Sequence, residues 1–202
     1  MEAIGHHIAR GFADPVHDSQ RNFRHILAAL SHPGTLVSLD VDIDPPDRLA
    51  LAASIILLVL TDHDTPLWMP PPMAHAAAYI RFHTGTQMAP APDLARFAVI
   101  DGGMPSPDLS AFDAGNDRYP DRSATVIVQC VALSGGPTVT LLGPGIDGDC
   151  TIAPRGLHPG FWSEVAINAR RYPLGIDLFL ASGRDIIGLP RSTRVTPVVE
   201  AG

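Results

Sequence analysis

The sequence predicts an α/β fold, a three-layer sandwich built on a mixed β-sheet. Helical and strand periodicities alternate through the first half of the chain, while strand pairs with short glycine-containing connections dominate the second. Hydrophobic residues make up 46% of the chain and charged residues 17%, the composition of a packed globular core. All 202 residues are read as one domain, with 1–12 as a mobile leader that lacks the apolar core of a secretory signal.

The elements follow in order. "DSQRNFRHILAALSHPG" spaces Phe23, Ile26, Leu27 and Leu30 for one helix face, with Asp18 or Ser19 as its cap and Pro33-Gly34 as its stop. "TLVSLDV" reads as a strand, and "PPDRLALAASIILLVLTD" as a helix opened by proline and apolar on nearly every face. The apolar run Leu49 to Thr61 holds 13 residues, short of the roughly 20 that span a bilayer. "TPLWM" predicts a short strand, "AHAAAY" a short helix, and "YIRFHT" and "ARFAVID" two further strands. Residues 104–122, rich in Pro, Asp, Gly and Ser, predict an exposed excursion with a weak helical segment at "SPDLSAF".

Two antiparallel hairpins are then expected: "ATVIVQCVAL" with "TVTLLG" across "SGGP", and "GIDLFLA" with "IIGLPR" across "SGRD". "HPGFWSEVAINARRYP" between them predicts a helix packing through Phe161, Trp162, Val165 and Ile167.

A net charge of −7 disfavours nucleic acid and anionic membrane surfaces, which are read through clustered cations. All 14 cationic residues are arginine; there is no lysine. That removes Schiff-base chemistry, a P-loop lysine and a Ser-Lys dyad. Two cysteines, Cys130 and Cys150, are too few for a disulfide framework and suit a reduced compartment.

"GPGIDG", Gly143 to Gly148, matches the dinucleotide glycine spacing, but the extended "DCTIAP" follows where a helix is required. A turn, or an anion-binding nest of backbone N–H groups, is the reading that remains. "TDHDT" groups Asp62, His63 and Asp64 without the i, i+4 pairing of a helical zinc motif, so it reads as a turn, and no metal site is assigned. No GxSxG elbow is present. Arg81 in "YIRFHT" and Arg191 in "GLPRST" stand as anion contacts at strand ends, or as halves of ion pairs, Arg191 with Asp177. Asp177 interrupts the apolar run "YPLGIDLFL" and reads as a structural carboxylate at a sheet edge.

Several separated stretches together resemble one family, the phosphonate metabolism protein H family of the bacterial carbon–phosphorus lyase system. They are "PVHDSQRNFRHILAALSHPG", "LTDHDTPLW", "IRFHT", "ATVIVQCVALSGG", "LLGPGI", "YPLGIDLFL" and "IIGLPRSTRV", in family order over nearly the whole chain. The resemblance implies a cytoplasmic homodimer whose fold is akin to the large domain of pyridoxal-phosphate (PLP) transferases, without that cofactor. It also implies association with the G, I and J proteins of the same system, which joins ATP to an alkylphosphonate with loss of adenine; a separate radical component, the J protein, then breaks the C–P bond. No catalytic residues carry over from it. The first functional expectation is therefore an accessory or substrate-channelling component. In the alternative, the dimer itself binds ATP or phosphonate through Arg81, His83, Arg191, Thr193 and the turn carrying Gly143 and Gly145. A metal-dependent hydrolase using Asp62 to Asp64 is a third.

Overall fold

The computed structural model describes residues 9–105 and 108–197. Helix α1 (Pro15–Ser31) leads to strand β1 (Leu36–Ser38), helix α2 (Leu51–Leu60), strand β2 (Leu67–Trp68) and helix α3 (Ala74–Thr84). Strands β3 (Phe97–Asp101) and β4 (Thr125–Gln129) flank the long excursion, and β5 (Val139–Leu142) and β6 (Cys150–Ile152) follow. Helix α4 (Phe161–Ala169) and strands β7 (Asp177–Ser182), β8 (Asp185–Leu189) and β9 (Arg194–Pro197) complete the described chain.

A six-stranded mixed sheet in the order β1-β8-β7-β4-β3-β2 forms the centre. β2, β3, β4 and β7 run parallel, while β8 turns back as an antiparallel hairpin partner of β7 and pairs with β1. Side-chain alternation along these strands divides the core in two. Val99, Ile127, Phe179 and Ala181 face a layer made by α1, α2 and α3. Ala98, Ile100, Val126, Val128, Leu178 and Leu180 face the opposite layer, in which α4 lies with a second sheet ordered β6-β5-β9. Strands buried on both faces read as nearly continuous apolar runs, which is why "ATVIVQCV" and "GIDLFLA" show little alternation.

The β7–β8 hairpin forms as the sequence predicts, and the all-round apolar helix α2 is covered on most sides. Other expectations are corrected. β4 and β5 make no hairpin: β4 is held centrally between β3 and β7, while β5 sits in the second sheet. Tertiary pairing overrides the local turn signal of "SGGP". "YIRFHT" is the second half of α3 rather than a strand, since Ala76, Ala77 and Ile80 bury one helical face and Gly85 (φ 75°) caps the end. Helix α2 begins at Leu51, after the prolines, because Arg48 in left-handed backbone (φ 67°) interrupts any helix before it.

Helix α1 starts earlier than expected. Asp14 caps it by accepting from His17 N–H, and Asp18 lies buried inside it. Its apolar residues divide: Ile26 is buried, whereas Phe23 and Leu27 are about half exposed. In α4, Phe161 and Val165 are buried but Ile167 is not. The excursion is partly docked: Leu109, Phe112 and Ala114 are buried, Phe112 meets Trp68 edge-on, and Glu164 of α4 accepts from Leu109 N–H. Its weak helical segment is one 3₁₀ turn, Leu109–Ala111.

The leader expected over 1–12 lies outside the described residues as far as 8. Its last part is fixed: Gly11 is buried, Tyr79 Oη donates to Arg10 O, and the His83 ring approaches Ala9 O at 3.1 Å.

Candidate functional site

A cleft of about 540 Å³ opens at the carboxyl ends of the parallel strands. Its floor comes from Ile100 and Asp101 at the end of β3 and Gln129 at the end of β4; one wall is Pro70-Pro71-Pro72-Met73 leading into α3; Arg48 and Met104 complete the rim. Parallel strands project their loops at this edge, so a ligand cleft here follows from the topology.

Local bonding fixes the cleft. The Gln129 side chain accepts from Ala50 N–H at 2.6 Å and donates to Arg48 O at 3.0 Å, which ties the loop before α2 to the end of β4. That bracing supports the left-handed backbone at Arg48, a conformation with a cost of roughly 1–2 kcal/mol for a residue bearing Cβ. Gly102 N–H donates to Gln129 O, and Gly102 has no room for a Cβ beneath Leu157 and Val128. Asp101 Oδ1 accepts from Gly103 N–H at 3.0 Å.

The side chains that line the cleft offer contacts to a ligand. The adjacent Cys130 thiol is pushed up to about 12, first by burial and also by the nearby Asp101 carboxylate, so it stays protonated and a poor nucleophile. Asp101 supplies an acceptor, Arg48 a cation, and the prolines and methionines an apolar wall.

The residues singled out in the sequence lie elsewhere and fall into two groups. Arg191 donates to Asp177 through its backbone N–H (2.8 Å), Nε (3.1 Å) and Nη2 (2.5 Å), and through Nη1 to Pro120 O (2.6 Å). The guanidinium is thus occupied by the protein itself. Thr193 is buried with Oγ1 unpaired among the described residues, and Gly143 packs against Ser192 and Thr193. Gly145 (φ 83°) presses on Ser31 O and Pro33 at the end of α1. Extended chain and β6 follow this turn, so its glycines serve close packing.

Arg81 and His83 belong to the other face, in the last turn of α3. Arg81 is exposed beside a shallow pocket lined by Met69, Ala77 and Met88, and His83 packs on Tyr79 and Phe82. The structure therefore does not bring Arg81 and His83 together with Gly143, Gly145, Arg191 and Thr193. Asp62 forms a local turn, accepting from Asp64 N–H and Thr65 Oγ1, which hold its carboxyl below the usual range. Among the described residues no three His, Cys, Asp or Glu side chains are placed to hold a metal.

Arg48, Asp101 and Gln129 stand out only in the folded chain. Asp101 carries a sequence signal, an acid closing the strand "ARFAVID". Arg48 carries none, because its place depends on contacts with residue 129.

The comparisons agree with the resemblance read in the sequence. A family model described as bacterial phosphonate metabolism protein (PhnH) matches residues 10–196. The alpha-D-ribose 1-methylphosphonate 5-triphosphate synthase subunit PhnH of Rhizobium meliloti is 38% identical over 186 residues, covering 91% of this chain and 93% of that one. The putative C-P lyase subunit protein HtxG of Stutzerimonas stutzeri is 29% identical over 179 residues, covering 87% and 85%. The match runs from before α1 into β9, and the chain belongs to the bacterial phosphonate metabolism protein (PhnH) family.

Proposed function

We propose that this chain is a subunit of a carbon–phosphorus lyase system, contributing to the formation of ribose 1-methylphosphonate 5-triphosphate. The observation that carries this is the end-to-end likeness to a relative named as a subunit of that synthase. The named product holds a ribose with a 5-triphosphate and a phosphonate on C1. ATP and methylphosphonate supply these parts when the C1–N bond to adenine breaks and a C1–O bond to the phosphonate forms.

In this reading the chain acts as an accessory component. It is a homodimer in the cytoplasm and assembles with the G, I and J proteins of the system. No helix among the described residues is long and apolar enough to cross a membrane, which is compatible with that setting. Likeness to the large domain of PLP transferases belongs to the same reading. PLP itself does not fit these residues, because the chain has no lysine to hold it covalently.

Reconstitution tests the proposal. Turnover of ATP and methylphosphonate by the complete set of proteins should be lost or sharply reduced when this chain is omitted and restored when it is added back. Unchanged turnover without it would overturn the reading.

A further inference from the structure

We infer that the cleft bounded by Arg48, Pro70–Met73, Asp101, Met104 and Gln129 is a nucleoside 5′-phosphate site, taking the base against its apolar wall and the sugar at Asp101. This deepens the proposed function and rests on it for the choice of a nucleotide among amphiphilic ligands.

The lining selects the ligand class. Three consecutive prolines are rigid and present flat apolar faces, Met73 and Met104 add soft, polarisable surface of the kind that packs on aromatic rings, and Ile100 adds aliphatic surface. Met104 is 58% exposed at the rim, where its side chain is accessible to a bound ring. A planar base fits this wall. Asp101 uses Oδ1 on Gly103 N–H, and Oδ2 has no hydrogen-bond partner among the described residues. A carboxylate oxygen free at the end of a parallel strand suits the hydroxyls of a ribose.

Arg48 forms no ion pair among the described residues. It is the cation of the cleft, and the phosphate end of the ligand is assigned to it. The competing classes fit worse. A wholly apolar ligand would leave Arg48 and Asp101 unpaired, and a bare polyphosphate would set its charge beside the Asp101 carboxylate with one arginine to offset it. The volume, about 540 Å³, lies within the range of clefts that take small organic ligands, and a nucleotide is of that size class.

Because one cation serves the phosphate end, the nucleoside contributes much of the affinity, and adenosine competes with ATP. The test is calorimetry on the full-length chain with ATP, adenosine and inorganic triphosphate as probes. ATP and adenosine should bind competitively, and triphosphate should not displace adenosine. Arg48→Gly, which keeps the left-handed backbone without strain, should weaken ATP about tenfold, the loss of one charge-assisted hydrogen bond. Asp101→Asn should weaken adenosine by a similar factor. If Asp101→Asn fails to fold, Arg48→Gly still decides. Absence of adenosine binding, or ATP binding unchanged by Arg48→Gly, overturns the inference. Omission of the wild-type chain from the reconstituted set is read separately. Lost turnover together with no nucleotide binding would refute the cleft alone, and unchanged turnover would refute the proposed role in the synthase.

Discussion

Arg191 closes a two-oxygen clamp on Asp177, with Nε on Oδ1 and Nη2 on Oδ2, while its own backbone N–H also donates to Oδ1. Both side chains are largely buried, so the pair joins the start of β7 to the segment that enters β9, and through Pro120 O to the excursion. Asp177→Asn keeps the size but removes the charge. It should destabilise the fold by about 1–3 kcal/mol, the usual range for a part-buried charged hydrogen bond. Urea denaturation measures this, and an Asp177→Asn, Arg191→Met double variant should lose less than the sum of the single variants. An unchanged denaturation midpoint would show that the clamp adds nothing.

Gly145 makes a sharper statement about the glycine turn. A Cβ there would run into the carbonyl of Ser31 and into Pro33, in backbone that already disfavours side chains. Gly145→Ala should lower stability by at least about 1 kcal/mol from the left-handed conformation alone, with the clash adding to it. Thermal denaturation checks this. A variant as stable as the parent would free the turn for a role other than packing.

The central sheet carries most of the core, and Phe179 is its largest fully buried member facing the helices. Phe179→Ala should cost about 3–5 kcal/mol, read from the shift in denaturant midpoint. Ile167, half exposed on α4, should tolerate alanine with a change within about 0.5 kcal/mol.

Alkaline pH should weaken the fold. Burial raises the Cys130 thiol to about 12 and the Tyr79 hydroxyl to about 12, against ordinary values of 9.0 and 10.0. Both groups hold their protons more tightly when folded. Their contribution is intact below pH 9 and is lost progressively as pH rises towards 12. Urea midpoints at pH 8 and pH 10 test the direction, and Cys130→Ala should flatten part of the slope. Cys130 should also resist alkylation at pH 8 until the protein is unfolded.

How far the sequence discloses this molecule depends on whether a signal is local. The helix at α1, the continuous apolar runs of β4 and β7, and the β7–β8 hairpin are local patterns, and each forms, although α1 starts earlier than expected and leaves Phe23 and Leu27 half exposed. The fate of "SGGP" is not local. A turn signal there cannot reveal that β4 has two parallel partners distant in sequence, so β5 is left to a different sheet. "YIRFHT" misleads because aromatic and β-branched residues suit strands, whereas burial of Ala76, Ala77 and Ile80 along one face decides for helix. The cleft is the least legible part. Asp101 and Gln129 are brought together by the register of β3 and β4, and Arg48 joins them through the Gln129 side chain, while the glycine motif and Arg191 are absorbed in packing and pairing.

The proposed function places this chain in a working assembly. Co-expression of the tagged chain with the G, I and J proteins, followed by affinity purification and size exclusion, tests it most directly. These proteins should be retained with the chain in one peak of fixed stoichiometry. Elution of the chain alone, with all partners in the flow-through, would contradict it.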